Sequence, residues 1–136
     1  MRFLNLTIAV KNIEKSLDFY CNILGLIELS RETFQTKRYT IISLAAPDDA
    51  AWAKETSSLI LRLRYDWDPD IVSDTMQALS ISFEVEDIYK TYQKLLTHDI
   101  NVIQPPKNGY RTLILSPENV TIELLQKDEP MPIMNI

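Results

Sequence analysis

The sequence predicts an α+β fold of two βαβββ modules whose curved mixed sheets form a concave cleft. Three observations predict it. Short segments alternate apolar and polar residues with a period of two, the signature of strands with one buried face. Two of these segments lead into capped amphipathic helical stretches. The pattern also restarts halfway: a shift of 75 positions lays Val85 on Val10, Asp87 on Asn12, and Ile88, Tyr92 and Leu95 on Ile13, Leu17 and Tyr20. A repeat of half the chain length is a duplicated module rather than a solenoid.

In chain order, Phe3 to Val10 alternates, with Leu4, Leu6, Ile8 and Val10 on one face and Asn5, Thr7 and Ala9 on the other. Asn12 caps a helix to about Leu24, with Ile13, Leu17, Tyr20 and Leu24 as its apolar stripe, and Gly25 takes the positive-φ position after it. Strands follow over about 26–36 and 38–45. Residues 46–56, with Pro47-Asp48-Asp49, read as a loop, and Ser58–Tyr65 alternates again. A connection over Trp67–Met76 ends the first half. Ser80–Val85 is the next strand, with Ile81, Phe83 and Val85 apolar, and Asp87 caps the second helix. Three more strands are expected, around Val102, at Thr112–Leu115 and at Val120–Leu125, with a turn at Ser116–Asn119. One domain over 1–126 results, with modules of about 1–66 and 78–126 and an irregular tail over 127–136.

Composition removes several classes. A net charge of −5 without a basic run disfavours nucleic acid and anionic membranes as partners. No apolar run approaches the roughly 20 residues of a membrane span, and no signal-peptide pattern precedes the first strand, so a cytoplasmic location is expected. One cysteine excludes an intrachain disulfide and CxxC motifs, and one histidine excludes a three-His zinc site within a chain. The two glycines, Gly25 and Gly109, are too far apart for a dinucleotide or Walker A loop.

The faces opposite the apolar ones carry Asn5 and Thr7; Ser58, Arg62 and Arg64; Ser80, Ser82 and Glu84; Thr121 and Glu123. Such a face is either a solvated sheet surface or the polar lining of a ligand cavity. Elsewhere, His98 suits an exposed helix C-terminus and Cys21 a structural place on the first helix. Arg38, Tyr39, Tyr110 and Arg111 sit where strands and turns meet, as ligand contacts or surface cover; Lys107-Asn108-Gly109 is a turn.

Met1-Arg2-Phe3-Leu4, Lys15-Ser16-Leu17-Asp18-Phe19-Tyr20, Ile23-Leu24-Gly25-Leu26, Tyr65-Asp66-Trp67 and Ile122-Glu123-Leu124 together resemble the glyoxalase, bleomycin-resistance and dioxygenase superfamily, the vicinal oxygen chelate proteins, over about residues 1–126. Within it they are similar to bacterial glyoxalase I, the lactoylglutathione lyase group. The resemblance implies the βαβββ pair and a divalent metal held by one side chain on the first and one on the last strand of each module, two His and two Glu in glyoxalase I. On this chain those positions fall on Asn5, Arg62, Ser80 and Glu123. Only Glu123 is a good ligand, and a guanidinium at Arg62 places a permanent cation where a dication binds. The glutathione-contacting Arg of that group falls on Ala9, and the Asn of its Tyr-Asn-Trp motif is Asp66.

The expectation is therefore a protein with no metal, no cofactor and no assigned catalytic residue. It binds a small molecule, or is a metal-independent enzyme, through Asn5, Thr7, Arg62, Arg64, Ser80, Ser82 and Glu123. A lyase with a displaced metal and a drug-binding protein of the bleomycin-resistance type are the alternatives. A strongly cationic drug is disfavoured because Arg62 and Arg64 balance Glu84 and Glu123. A homodimer is expected, since paired modules complete a cleft in this family. Arg62 and Glu123, on equivalent last strands, are expected to form a guanidinium–carboxylate pair in place of the metal.

Overall fold

A computed structural model describes residues 1–68, 79–106 and 108–132, so most of the expected 67–76 connection, Lys107 and the last four residues of the tail lie outside the description. The chain divides into two compact units, Met1–Thr75 and Met76–Ile136.

In the first unit, β1 (Asn5–Val10), β4 (Ile60–Asp66), β3 (Tyr39–Ala45) and β2 (Ile27–Phe34) form a four-stranded sheet in the order β1-β4-β3-β2. β1 runs parallel to β4, and the other two pairings are antiparallel. The parity read from the sequence places Ile8, Val10, Leu61 and Leu63 in the core, and all four are buried, as are Ile42 and Leu44 of β3. Each such side chain contributes roughly 1.5–3 kcal/mol of burial.

The helix after β1 departs from the expected one. α1 (Ile13–Leu17) is capped by Asn12, whose side-chain oxygen accepts from the Lys15 amide at 3.1 Å. The chain then widens into a π-helical segment, Asp18–Ile23, whose end is marked by the Leu24 amide donating to the Phe19 carbonyl. The buried residues of this stretch are Ser16, Phe19, Tyr20 and Ile23, so of the expected stripe only Tyr20 is buried. Two adjacent aromatics, Phe19 and Tyr20, meet edge to face at 5.0 Å and both enter the core. A π-helical stretch shifts the phase that a uniform 3.6-residue period assumes. Gly25 has φ +87°, as its position required.

The expected 46–56 loop is instead a 3-10 turn, Pro47–Asp49, running into α2 (Ala50–Thr56). Proline at the first position pre-sets helical φ, and Ala50-Ala51-Trp52-Ala53-Lys54-Glu55 contains strong helix formers, with Ala53 buried as the contact. Ser57, in the left-handed region, ends it. The following strand starts at Ile60 rather than Ser58, because Leu59 is also left-handed at φ +57° and lies outside the strand.

The second unit repeats the plan: β5 (Ser80–Val85), α3 (Ile88–Leu96), β6 (Val102–Gln104), β7 (Arg111–Leu115) and β8 (Thr121–Gln126), in the sheet order β5-β8-β7-β6. β5 and β8 are parallel; β7 pairs antiparallel with both neighbours. Asp87 caps α3 by accepting from the Tyr89 and Lys90 amides, both at 3.1 Å. Ile88, Tyr89 and Leu95 are buried on that helix, while Tyr92 is half-buried. Buried Gln126 ties strand to helix. Its Oε1 accepts from the Ile88 amide at 2.8 Å, and its Nε2 donates to the Glu86 carbonyl at 2.7 Å. The start of the tail is anchored, with the Met131 amide donating to the Gly109 carbonyl at 2.8 Å. Gly109, at φ +70°, leaves room for that approach: a Cβ there would overlap the Met131 carbonyl oxygen. Among the described residues no helix is long and apolar enough to cross a membrane.

Candidate functional site

Opposite its core face each sheet carries polar side chains among apolar ones such as Ile41 and Leu113, and the register fixes which polar side chains are neighbours. In the first unit, Arg62 on β4 lies between Thr7 on β1 and Ser43 on β3. Paired residues on adjacent strands share a face, so a guanidinium is flanked by two hydroxyls. Asn5 lies two residues along β1 on that face, and the Thr7 hydroxyl donates to its amide oxygen at 3.5 Å. Arg62 is half-buried in the middle of the sheet and forms no ion pair among the described residues.

Arg64, two residues further along, is engaged differently. Its Nε and Nη2 each donate to Asp66 at 3.2 Å, and its guanidinium lies 4.1 Å over the Tyr39 ring. Tyr39 in turn stacks on Phe34 at 4.6 Å. This layer of Phe34, Tyr39, Arg64 and Asp66 uses most of the guanidinium that the sequence offered as a ligand contact. Arg38 is likewise forked onto Asp68, at 3.0 and 3.2 Å, beside the Trp67 ring.

In the second unit the equivalent position is Glu123 on β8, beside Ser82 on β5. The internal repeat thus lays the pair Ser82/Glu123 on the pair Thr7/Arg62. Both Glu123 carboxylate oxygens are occupied. The Ser82 hydroxyl donates to Oε1 at 2.7 Å, and the Arg111 guanidinium of β7 donates through Nε to Oε2. The Ser82 hydroxyl first, and the Arg111 guanidinium after it, hold this carboxylate below its ordinary pKa against the opposing effect of burial. Glu123 is 21% exposed and Arg111 40% exposed, so the pair is partly wet. Ser80 lies exposed at the start of β5, beside Thr121.

The seven expected site residues therefore fall into small groups: Asn5, Thr7 and Arg62 together; Ser82 with Glu123; Arg64 bound up with Asp66 and Tyr39; and Ser80 at a strand start. Sequence reasoning did not identify Arg111 as the cation of Glu123. The available signal was the hairpin register, in which the Ser116–Asn119 turn pairs Leu113 with Glu123 and Arg111 with Leu125, setting Arg111 diagonal to the carboxylate. Cys21 is half-buried, and burial raises its thiol pKa, with Glu28 adding and Arg31 opposing, which makes it a poor nucleophile.

The four side chains at the metal positions implied by the resemblance are an amide, a guanidinium, a hydroxyl and one carboxylate already paired with a cation. Among the described residues no group of three or more His, Cys, Asp or Glu side chains is placed to hold a metal ion.

The model of the Glyoxalase/Bleomycin resistance protein/Dioxygenase superfamily matches residues 2–124. Lactoylglutathione lyase of Neisseria meningitidis serogroup A is 32% identical over 132 residues, covering 93% of this chain and 91% of that protein. Among solved structures, the trypanothione-dependent glyoxalase I of Leishmania major superposes with a TM-score of 0.80 at 24% identity, over 93% of this chain and 87% of that one. An antibiotic binding protein from Streptomyces superposes with a TM-score of 0.65 at 20% identity, over 94% and 97%. At these identities the two structures share the fold with this chain.

Proposed function

The chain belongs to the glyoxalase, bleomycin-resistance and dioxygenase superfamily, and we propose that it is a member that binds a small organic molecule on its polar sheet faces without a catalytic metal. One observation carries this reading: Glu123, the single carboxylate at the four metal positions, has both oxygens taken by Ser82 and Arg111. A metal arriving there would displace a guanidinium from its carboxylate. The lyase reaction needs a Lewis acid to polarise the substrate oxygens and a free base to move a proton between adjacent carbons. Asn5 and Ser80 are neutral donors and Arg62 is a cation, so this donor set does not fit the metal and supplies no such base. The reading covers a binding protein and a metal-independent enzyme alike.

A second reading, a working lactoylglutathione lyase, is favoured by the 32% identity to a protein of that name over nearly the whole chain. It requires ligands other than these four. One experiment separates the two. The purified protein is incubated with nickel or zinc, dialysed, analysed for metal and assayed on the methylglyoxal–glutathione hemithioacetal. We expect far less than one ion per chain and no turnover above the uncatalysed rate. Near-stoichiometric metal together with chelator-sensitive turnover overturns the proposal in favour of the lyase.

The binding reading includes assembly as a homodimer, since a pair of copies covers open strand edges and builds two equivalent sites. Light scattering is expected to give about twice the chain mass of 15.8 kDa; a monomer at micromolar concentration counts against that part.

A further inference from the structure

The repeat places a charge at the same point of each sheet but neutralises it in only one. In the second unit, Glu123 takes a hydroxyl from the parallel neighbour strand and a cation from the antiparallel one. In the first unit, Arg62 has the matching hydroxyl residue, Thr7, on its parallel neighbour. Its antiparallel neighbour offers no counter-charge. Arg111 pairs with Leu125, two residues beyond Glu123, and the equivalent partner of Arg64, two residues beyond Arg62, is Ile41. Ile41 is buried and apolar. The other described arginines of the sheets and turns, Arg31, Arg38, Arg64 and Arg111, all have carboxylate partners. Arg62 is thus a half-buried guanidinium on a central strand, flanked by Thr7 and Ser43 and left without an anion among the described residues.

We infer that Arg62, with Thr7 and Ser43, is the subsite for a carboxylate group of the bound small molecule, an inference that rests on the metal-free binding reading. A guanidinium offers two parallel N–H donors that match a planar carboxylate; the Ser43 hydroxyl on one side supplies a further hydrogen bond, and the Thr7 hydroxyl on the other does so on turning from the Asn5 amide oxygen. Charge selects carboxylate over phosphate. Asp66 already neutralises Arg64, so the subsite offers one net positive charge, which suits a monoanion rather than a dianion.

The test follows the arginine side-chain Nε–Hε signals of the full-length, nitrogen-15-labelled protein by NMR. Arg62→Lys removes one signal and so assigns it. Benzoate and propionate are titrated at constant ionic strength, with sodium chloride and inorganic phosphate as separate titrations. The expected result is a saturable shift of the Arg62 signal with both carboxylates, while the paired Arg31, Arg38, Arg64 and Arg111 signals move several-fold less. Arg62→Gln should weaken carboxylate binding at least tenfold, and Thr7→Val with Ser43→Ala several-fold, the folded state of each variant being checked by its amide spectrum. An Arg62 signal that carboxylates leave unmoved overturns the inference. So does one that phosphate shifts at lower concentration, or that chloride shifts equally. Silence at Arg62 in a protein that takes up no metal refutes the subsite alone. Stoichiometric metal with lyase turnover refutes the functional reading beneath it.

Discussion

Replacing Arg111 with alanine removes the cation from Glu123 while leaving Ser82 on the other carboxylate oxygen. Two limits bracket the cost. A solvated ion pair is worth about 0–1 kcal/mol, and breaking a fully buried one costs about 3–5 kcal/mol. Here the side chains are 40% and 21% exposed, and the stranded carboxylate keeps its Ser82 hydrogen bond, so the expected loss is about 1–2 kcal/mol. For a chain of this size that lowers Tm by roughly 3–8 °C. The sign of the pH dependence follows from the lowered pKa of Glu123. A carboxylate whose folded pKa lies below its unfolded value, about 4.3, contributes stability that is full above that value. The contribution is lost as pH falls through the folded pKa. The gap between parent and Arg111→Ala should therefore be widest near neutrality and close in acid. The assay is urea unfolding at several pH values on the parent, Arg111→Ala, Glu123→Gln and the double variant, with the coupling energy taken from the cycle. A coupling below about 0.3 kcal/mol at neutral pH would show that the two side chains act separately. A loss above about 3 kcal/mol would show a dry site and refute the reasoning from exposure.

Two further outcomes test the frame that carries the site. Gln126→Leu leaves the Ile88 amide at the start of α3 without its acceptor, and should cost about 1–3 kcal/mol in urea unfolding; a loss under 0.5 kcal/mol would mean that water replaces the side chain without penalty. Gly109→Ala combines a positive φ with a Cβ set against the Met131 carbonyl. It should cost about 2–3 kcal/mol from backbone strain and overpacking, and a thermal melt unchanged from the parent would show that the tail does not hold this position.

The two-module plan was legible in the residue pattern alone. Period-two alternation fixed which residues of Asn5–Val10 and Thr121–Gln126 face the core, because a one-residue slip would reverse every side chain of a strand. The caps at Asn12 and Asp87 were legible because short polar side chains satisfy free amides at helix starts. These are local rules, acting over a few residues. The remaining features depend on contacts between residues far apart in the chain. The phase of the first helix turned on the aromatic pair Phe19 and Tyr20 both entering the core, which brought a π-helical turn with it. The helix at Ala50–Thr56 sits where the preceding Pro47-Asp48-Asp49 made the segment read as a loop, its buried contact being Ala53. The neighbour of Glu123 within its own sheet was not legible in the residue pattern. Strand register brings the Arg111 guanidinium to Glu123 in the second unit, and sets Arg62 between Thr7 and Ser43 in the first. Alternation tells which face a charged residue occupies, but which charges meet depends on how neighbouring strands slide past one another, and only the folded sheet fixes that register.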